Sequence, residues 1–365
     1  MFELEDLIGS IDAVDVIAPG ELTAPEEVDS PMLKGVLTLQ RLAAKVLRRL
    51  KVEVEGVVPV AGLRRLPPGV KPDYEMLFVS VEAPGDLYDL APCAMWRSAA
   101  RVSVCYINEL YVSDVRTLGG ILKILKQFDH IFVGISGTVE ALAEATGRPC
   151  HYLAPSTDTL KFCPYPRSPE RVIDVYAMGR RPPETHKALL CMAEGGDRYY
   201  MYDTVTNSPV SSYAEHRSRL AEMIKRSQFF LVNIASWAKG NRIDGHQELG
   251  NRFVEGAAGG SVLIGEAPRN AAFDQYFGWP DSVIPLTFNS ADIADVITEL
   301  EADPTRIERI SKTNVVNSLR RHDHVYRWGQ ILSVTGLEET SAMECRRREL
   351  AKLAESIERT IPGSR

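Results

Sequence analysis

The feature that most constrains this chain is an alternation, met twice, of short β-branched runs with longer amphipathic segments. Parallel neighbours in a sheet need a crossover, usually helical, so this pattern specifies strand-helix-strand units around a parallel sheet. In the first half, strands are expected at 13–17, 52–59, 75–81, 101–107 and 130–135. Residues 33–50 repeat apolar side chains at helical spacing, and 120–128 and 138–146 do so more briefly. Five strands make a complete sheet.

The texture then changes. The stretch APSTDTLKFCPYPRSPER carries Pro155, Pro164, Pro166 and Pro169, which no helix would tolerate and which suit a linker. The alternation restarts with strands expected at 172–178, 198–202, 229–234, 261–264 and 282–285. Helices are expected at 184–193, 213–226, 249–258 and 291–302, and a long polar helical tail includes 341–359. The expected organisation is a first domain over 1–166, a second over 167–335 and a helical tail over 336–365. In open parallel sheets ligands bind beyond the carboxyl ends of the strands, so two such doubly wound domains imply a cleft.

Composition narrows the partners. The 365 residues hold 42 Lys+Arg against 49 Asp+Glu, a formal charge of −7, which argues against electrostatically driven nucleic-acid binding. The six cysteines include no C-x-x-C pair, so neither a zinc ribbon nor a redox dithiol is visible, and they read as reduced. The opening MFELEDLIGS is acidic where a secretory signal is basic, and no apolar run approaches the ~20 residues that span a bilayer. A cytoplasmic protein is expected, with peripheral membrane contact left open and no signal for oligomeric state.

The most informative stretch is GHQELGNRFVEGAAGGSVLIG, residues 245–265. Glu248 is expected to open a helix, with Arg252 and Glu255 on the same face and Gly259-Gly260 closing it before a buried strand. A helix N-terminus offers free N–H groups to a diphosphate, and a carboxylate two turns on can accept both hydroxyls of a ribose. The same spacing also describes an exposed Glu-Arg-Glu face that merely stabilises its own helix. A second cluster, Arg180, Arg181 and Lys187, gathers positive charge where a strand gives way to a helix, a location that suits a leaving diphosphate. Gly179 would let the backbone approach the ligand, and His186 either orients a phosphate or caps the turn.

These residues resemble the donor-binding motif of glycosyltransferases with the two-domain GT-B fold, especially the large retaining family four. In that family one Glu meets the donor sugar and a second, further along the helix, holds the ribose. The stretch RFVEGAAGG matches the second half of the motif. Glu248 and Glu255 stand one residue closer than the family pattern, so His246, Gln247 or Glu248 fills its first position. LAPSTDTLKFCPYP resembles the segment that ends the first domain, and YAMGRRPPETHKALL the opening of the second, where a Gly-Arg pair and a basic residue contact the phosphates. RHDHVYRWGQIL resembles the closing helical segment of the spore-maturation-like branch. The resemblance implies a GT-B fold of two Rossmann-like domains, with Gly179, Arg180, Arg181, Lys187, Arg252, Glu255, Gly259 and Gly260 on the donor.

On the acceptor side, the strand RVSVCYI runs into Asn108 and Glu109, where related enzymes often carry a histidine. Glu109 could deprotonate a hydroxyl or stabilise positive charge at the sugar, or simply cap a turn. Asp86, in the loop after the preceding strand, is a further acceptor-side candidate. No P-loop and no dinucleotide fingerprint is present. His322-Asp323-His324 invites a metal reading, but adjacent residues do not share a helix face, and no D-x-D pair suggests a metal. The expected activity is transfer of a sugar, with retention, from a nucleotide diphosphate sugar (UDP or GDP) to a small-molecule, glycan or other hydroxyl acceptor, with no cofactor or metal. The rivals are a nucleotide-sugar epimerase of the same fold and a noncatalytic sugar-nucleotide-binding protein.

Overall fold

The computed structural model describes residues 2–16, 73–90, 96–196, 198–203, 212–235 and 246–363. They divide into two compact units. Unit 1 comprises residues 13–153, and unit 2 comprises residues 2–12 with those from Ala154 onward. This division lies upstream of the expected boundary at 166, and it places the C-terminal helices inside unit 2. It also gives unit 2 a helix from the start of the sequence, α1 (Phe2–Ile11), whose Leu4, Leu7, Ile8 and Ile11 form one buried stripe.

Unit 1 is built on a parallel sheet in the order β1 (Tyr74–Val81), β2 (Ala100–Ile107), β3 (His130–Val133) and β4 (Cys150–Tyr152). Three of the strands follow the expected runs, and β4 is an addition too short to read from sequence. Residues 13–16 are irregular rather than the start of a strand, while the expected strand 52–59 and helix 33–50 lie outside the described residues. The short helices α2 (Val112–Val115), α3 (Gly120–Leu125) and α4 (Val139–Thr146) connect the strands. They cover the face carrying Cys105, Ile107, Ile131 and Val133.

In unit 2, α5 (Thr159–Phe162) leads to β5 (Ile173–Met178), α6 (Pro183–Glu194), β6 (Tyr200–Asp203), α7 (Tyr213–Lys225) and β7 (Ser227–Val232). Then follow α8 (Asn251–Ala258), β8 (Val262–Gly265), α9 (Ala271–Phe277), β9 (Ile284–Pro285) and α10 (Ile293–Glu301). The chain closes with α11 (Pro304–Arg321), α12 (His324–Thr335) and α13 (Ser341–Glu358). All ladders are parallel, in the order β6-β5-β7-β8-β9. The apolar residues of the strands meet helices on both faces, with Phe230 and Leu263 in one cluster and Phe229 and Ile264 in the other.

Most helices of unit 2 begin at a side-chain cap. Ser212, Asn270, Asp303, Asp323 and Thr340 each accept a bond from an N–H two or three residues on. Helix α8 starts differently. Its N-cap is Gly250, without a side-chain cap, so the first N–H groups of the helix are left to other acceptors. The helix was expected from 249 with Glu248 at its head. Instead Glu248 lies in an irregular segment, because Gly250 is extended (φ −93°, ψ 158°) and interrupts the helix there.

Candidate functional site

The order of strand addition reverses between β5 and β7, and in an open parallel sheet the crevice beyond the carboxyl ends of those strands is where ligands sit. After β5 the chain turns at Gly179, whose φ of +95° is a conformation that side chains rarely adopt. Arg181 then folds back. One guanidinium nitrogen donates to the Gly179 carbonyl at 3.2 Å, and the group sits 4.9 Å above the Tyr202 ring on β6. Arg180 and Lys187 are exposed, and no hydrogen bond or ion pair to a described residue engages either. His186 Nδ1 meets the Tyr200 hydroxyl at 2.8 Å. Burial, and then Arg181, lower its pKa, so the ring is neutral at pH 7. Among the described residues two positive side chains are thus without a partner, while a third is stacked in place.

The segment 246–250 is stitched across the ends of β7 and β8. The Glu248 carbonyl accepts from the Ala235 N–H at 2.8 Å, and the Gln247 side chain accepts from the Arg269 N–H at 2.8 Å. The Gln247 carbonyl accepts from the Asn270 side chain. Of the three candidates for the first motif position, His246 is exposed, Gln247 half-buried and Glu248 buried. Arg252, in the first turn of α8, keeps part of its side chain in solvent.

Glu255 does not stand on an open face. It is 2% exposed, and its two carboxylate oxygens accept from Arg217 and Arg252. Burial alone would raise its pKa, but Arg252 and Arg217 outweigh that and hold it below the usual range. A ribose would have to displace one of those guanidinium groups. Arg217 reaches further, donating to Glu3 at 2.8 Å and to the Thr157 hydroxyl at 2.9 Å, with its guanidinium 4.9 Å from the Phe162 ring centroid. Sequence reading missed Arg217 and Glu3. The signal for Arg217 existed, since it shares the buried face of α7 with Leu220, Ala221 and Ile224.

Gly259 and Gly260 lie at the opposite end of α8, about 12 Å from its N-terminus. A Cβ on Gly259 would lie 2.3 Å from Ile224, and Gly260 has φ +70°. Both shape the turn into β8. The turn's carbonyls are held by Arg171, which donates to Gly260 at 2.7 Å and to Gly259 at 3.3 Å. These two glycines belong to the packing at the C-terminal end of α8 rather than to its N-terminal end.

In unit 1 the carboxyl ends of β1 and β2 carry Glu82, Asn108 and Glu109. Asn108 donates to Glu82 at 2.8 Å and accepts from the Tyr106 hydroxyl at 3.0 Å, so its amide is fixed. Gly134, after β3, comes so close that a Cβ there would lie 2.5 Å from the Asn108 carbonyl. The Glu109 N–H donates to the Glu82 carbonyl at 2.8 Å, leaving its half-buried side chain at the strand end. Asp86 is committed locally, accepting from the Ala83 N–H at 3.1 Å within a turn.

His322, Asp323 and His324 point to three different partners. His322 stacks on Phe277 at 4.7 Å, Asp323 holds Arg346 at 2.8 Å, and His324 bridges Ser156 at 2.8 Å and Glu3 at 3.3 Å. Among the described residues no group of three or more His, Cys, Asp or Glu is placed to hold a metal ion, and no helix is long and apolar enough to cross a membrane.

The structure is thus a mixed α/β chain with two parallel sheets and a helical C-terminal region, with exposed cations at the strand-order reversal of the second sheet. A family model described as glycosyl transferase-like matches residues 140–333, more than half of the chain, and the protein belongs to that family. Solved structures similar to the chain include Anabaena HepE in complex with UDP and glucose, at 11% identity over 72% of this chain and 78% of that one, TM-score 0.48. Another is an alpha-glucosyltransferase in complex with UDP and a 13-mer DNA containing a HMU base, at 13% identity over 72% and 80%, TM-score 0.43. A third is an alpha,alpha-trehalose-phosphate synthase (UDP-forming) from Burkholderia vietnamiensis, at 12% identity over 92% and 86%, TM-score 0.44. No curated protein matches the chain at a significant level.

Proposed function

We propose that this protein transfers a sugar from a nucleotide diphosphate sugar, UDP- or GDP-linked, to an acceptor hydroxyl, with retention of configuration. The observation that carries the reading is the pair of exposed cations, Arg180 and Lys187, beside a positive-φ glycine at the strand-order reversal of a chain from the glycosyl transferase-like family. A leaving diphosphate gains charge in the transition state, so cations and the uncapped N–H groups of α8 stabilise it more than they stabilise the bound ground state. Glu255 acts through Arg252, whose guanidinium it fixes in the first turn of α8. His246 is the exposed residue at the first motif position and meets the donor sugar. Asn108 and Glu109 serve the acceptor in unit 1. The domains divide accordingly into an acceptor half, a donor half and a helical tail.

A thermal-shift panel of nucleotides and nucleotide sugars tests the donor, because a ligand at 100 times its dissociation constant adds about 2.7 kcal/mol of stability. Stabilisation by one nucleoside diphosphate and its sugar, followed by release of that diphosphate with an acceptor present, supports the reading. Indifference to every nucleotide overturns it. Conversion of the free nucleotide sugar without an acceptor would instead identify an epimerase.

A further inference from the structure

His130 opens β3, and His151 is the central residue of β4. Residues paired in a parallel ladder face the same side, as do residues two apart along a strand. His151 pairs with Phe132, two residues beyond His130, so the three rings share one face of the first sheet. Ile131, Val133 and Cys150 go to the apolar cluster on the other face.

The two imidazoles converge. His130 Nδ1 and His151 Nε2 are 3.3 Å apart, with ring centroids 5.5 Å apart at 38°. His151 leans on the fully buried Phe132 ring, centroids 4.9 Å apart, which limits its rotamers. Both histidines are half-buried, so they are restrained yet within reach of a solvated ion. Two nitrogens bound at about 2.0 to 2.1 Å to a tetrahedral ion are themselves separated by about 3.3 to 3.4 Å, the edge of the tetrahedron. The observed separation matches that edge.

We propose that His130 and His151 form a two-histidine chelate for a divalent transition-metal ion that takes imidazole in tetrahedral geometry, such as zinc or cobalt. Among the described residues no third His, Cys, Asp or Glu completes a ligand group, so water fills the remaining positions. Burial, and then the neighbouring His130, lower the pKa of His151, which keeps its lone pair available at neutral pH. The N–H···N contact that the neutral rings share is replaced by the ion when each ring turns by about 35°, the angle between the nitrogen–nitrogen line and the metal bonds in tetrahedral geometry. The bound ion ties β4, which has a ladder of three residues, to β3.

The test uses the untagged full chain titrated with cobalt chloride by calorimetry, and separately by proton spectra of the histidine rings. One ion per chain is expected, with affinity reduced roughly tenfold or more in His130→Gln and in His151→Gln. Cys191→Ser, which removes an exposed thiol, leaves binding unchanged. In the spectra of the unsubstituted chain, the ring signals of His130 and His151 broaden before any other histidine. Absence of binding at millimolar cobalt, wild-type affinity in the folded histidine variants, or earlier broadening of other histidines each overturns the proposal.

Discussion

Arg217 and Glu255 stand 38 residues apart on neighbouring helices and form an ion pair that is almost entirely out of water. The second nitrogen of the same guanidinium goes to Glu3, so one cation neutralises two buried carboxylates. Both acids have further positive partners, Arg252 for Glu255 and Lys161, at 3.0 Å, for Glu3. The group is closed because each charge faces an opposite one in a setting where an unpaired charge is costly.

Arg217→Met removes the shared cation and leaves both carboxylates short of a partner. Breaking a buried pair in this way costs about 3 to 5 kcal/mol. The midpoint of urea unfolding should fall accordingly, and adding Glu3→Gln should recover part of the loss, since the two sites are directly coupled. A wild-type midpoint in Arg217→Met would show that the pair contributes nothing.

Acid should act in two stages. The His322 ring is fully buried, with no hydrogen-bond partner for either nitrogen among the described residues, and burial first, then Arg327 and Arg321, press its pKa well below the ordinary 6.5. Below pH 6.5 the unfolded chain therefore takes up a proton that the folded one refuses, and stability declines as pH falls. Glu255 and Asp323 are also lowered in the folded state, from 4.5 and 3.8, by arginines that outweigh burial. The stability they add is complete above those values and drains as pH falls below them. His322→Phe should flatten the first decline and leave the second, read as the urea midpoint against pH.

Gly265→Ala should destabilise unit 2 by about 2 to 4 kcal/mol, in the range of severe overpacking. A Cβ at Gly265 would lie 1.8 Å from the Val232 carbonyl oxygen, which belongs to the neighbouring strand and cannot yield without breaking the ladder. Chemical denaturation and the content of folded protein on expression both report it.

Arg180→Ala and Lys187→Ala should change stability by less than about 0.5 kcal/mol, because both side chains are exposed and neither has a partner among the described residues. Each should still lower kcat/KM for transfer from the nucleotide sugar, with the larger share of the loss in kcat. Unaltered kinetics in both variants would move the phosphate site elsewhere.

The strands β1, β2, β3, β5 and β7 were legible because each is a short, mainly apolar run rich in β-branched and aromatic residues, which parallel burial favours. Helix α1 was readable in principle, since Leu4, Leu7, Ile8 and Ile11 recur at helical spacing. The basic turn at Gly179 to Lys187 was readable too, because its residues are near one another in sequence. The surroundings of Glu255 were not. Its neighbours come from residues 3, 157, 217 and 252, and no local period records which distant side chains will meet. Spacing placed Glu255 on a helix correctly, but only packing determines whether that face meets solvent or arginine.

Helix α1 has a temporal consequence as well. Its side chains and carbonyls bond Thr157, Arg217, His324 and Thr340, and Asp12 just after it bonds Trp328, up to 329 residues further along the chain. A ribosome adding about 5 to 20 residues per second delivers the last of these partners roughly 15 to 65 s after the helix itself. During that interval unit 1 and then most of unit 2 are synthesised, and α1 meets its partners piecemeal, Thr157 and Arg217 first and His324 and Thr340 last. The segment is thus an early-emerging, late-docking piece of the nascent chain, and holdase chaperones have their longest window there.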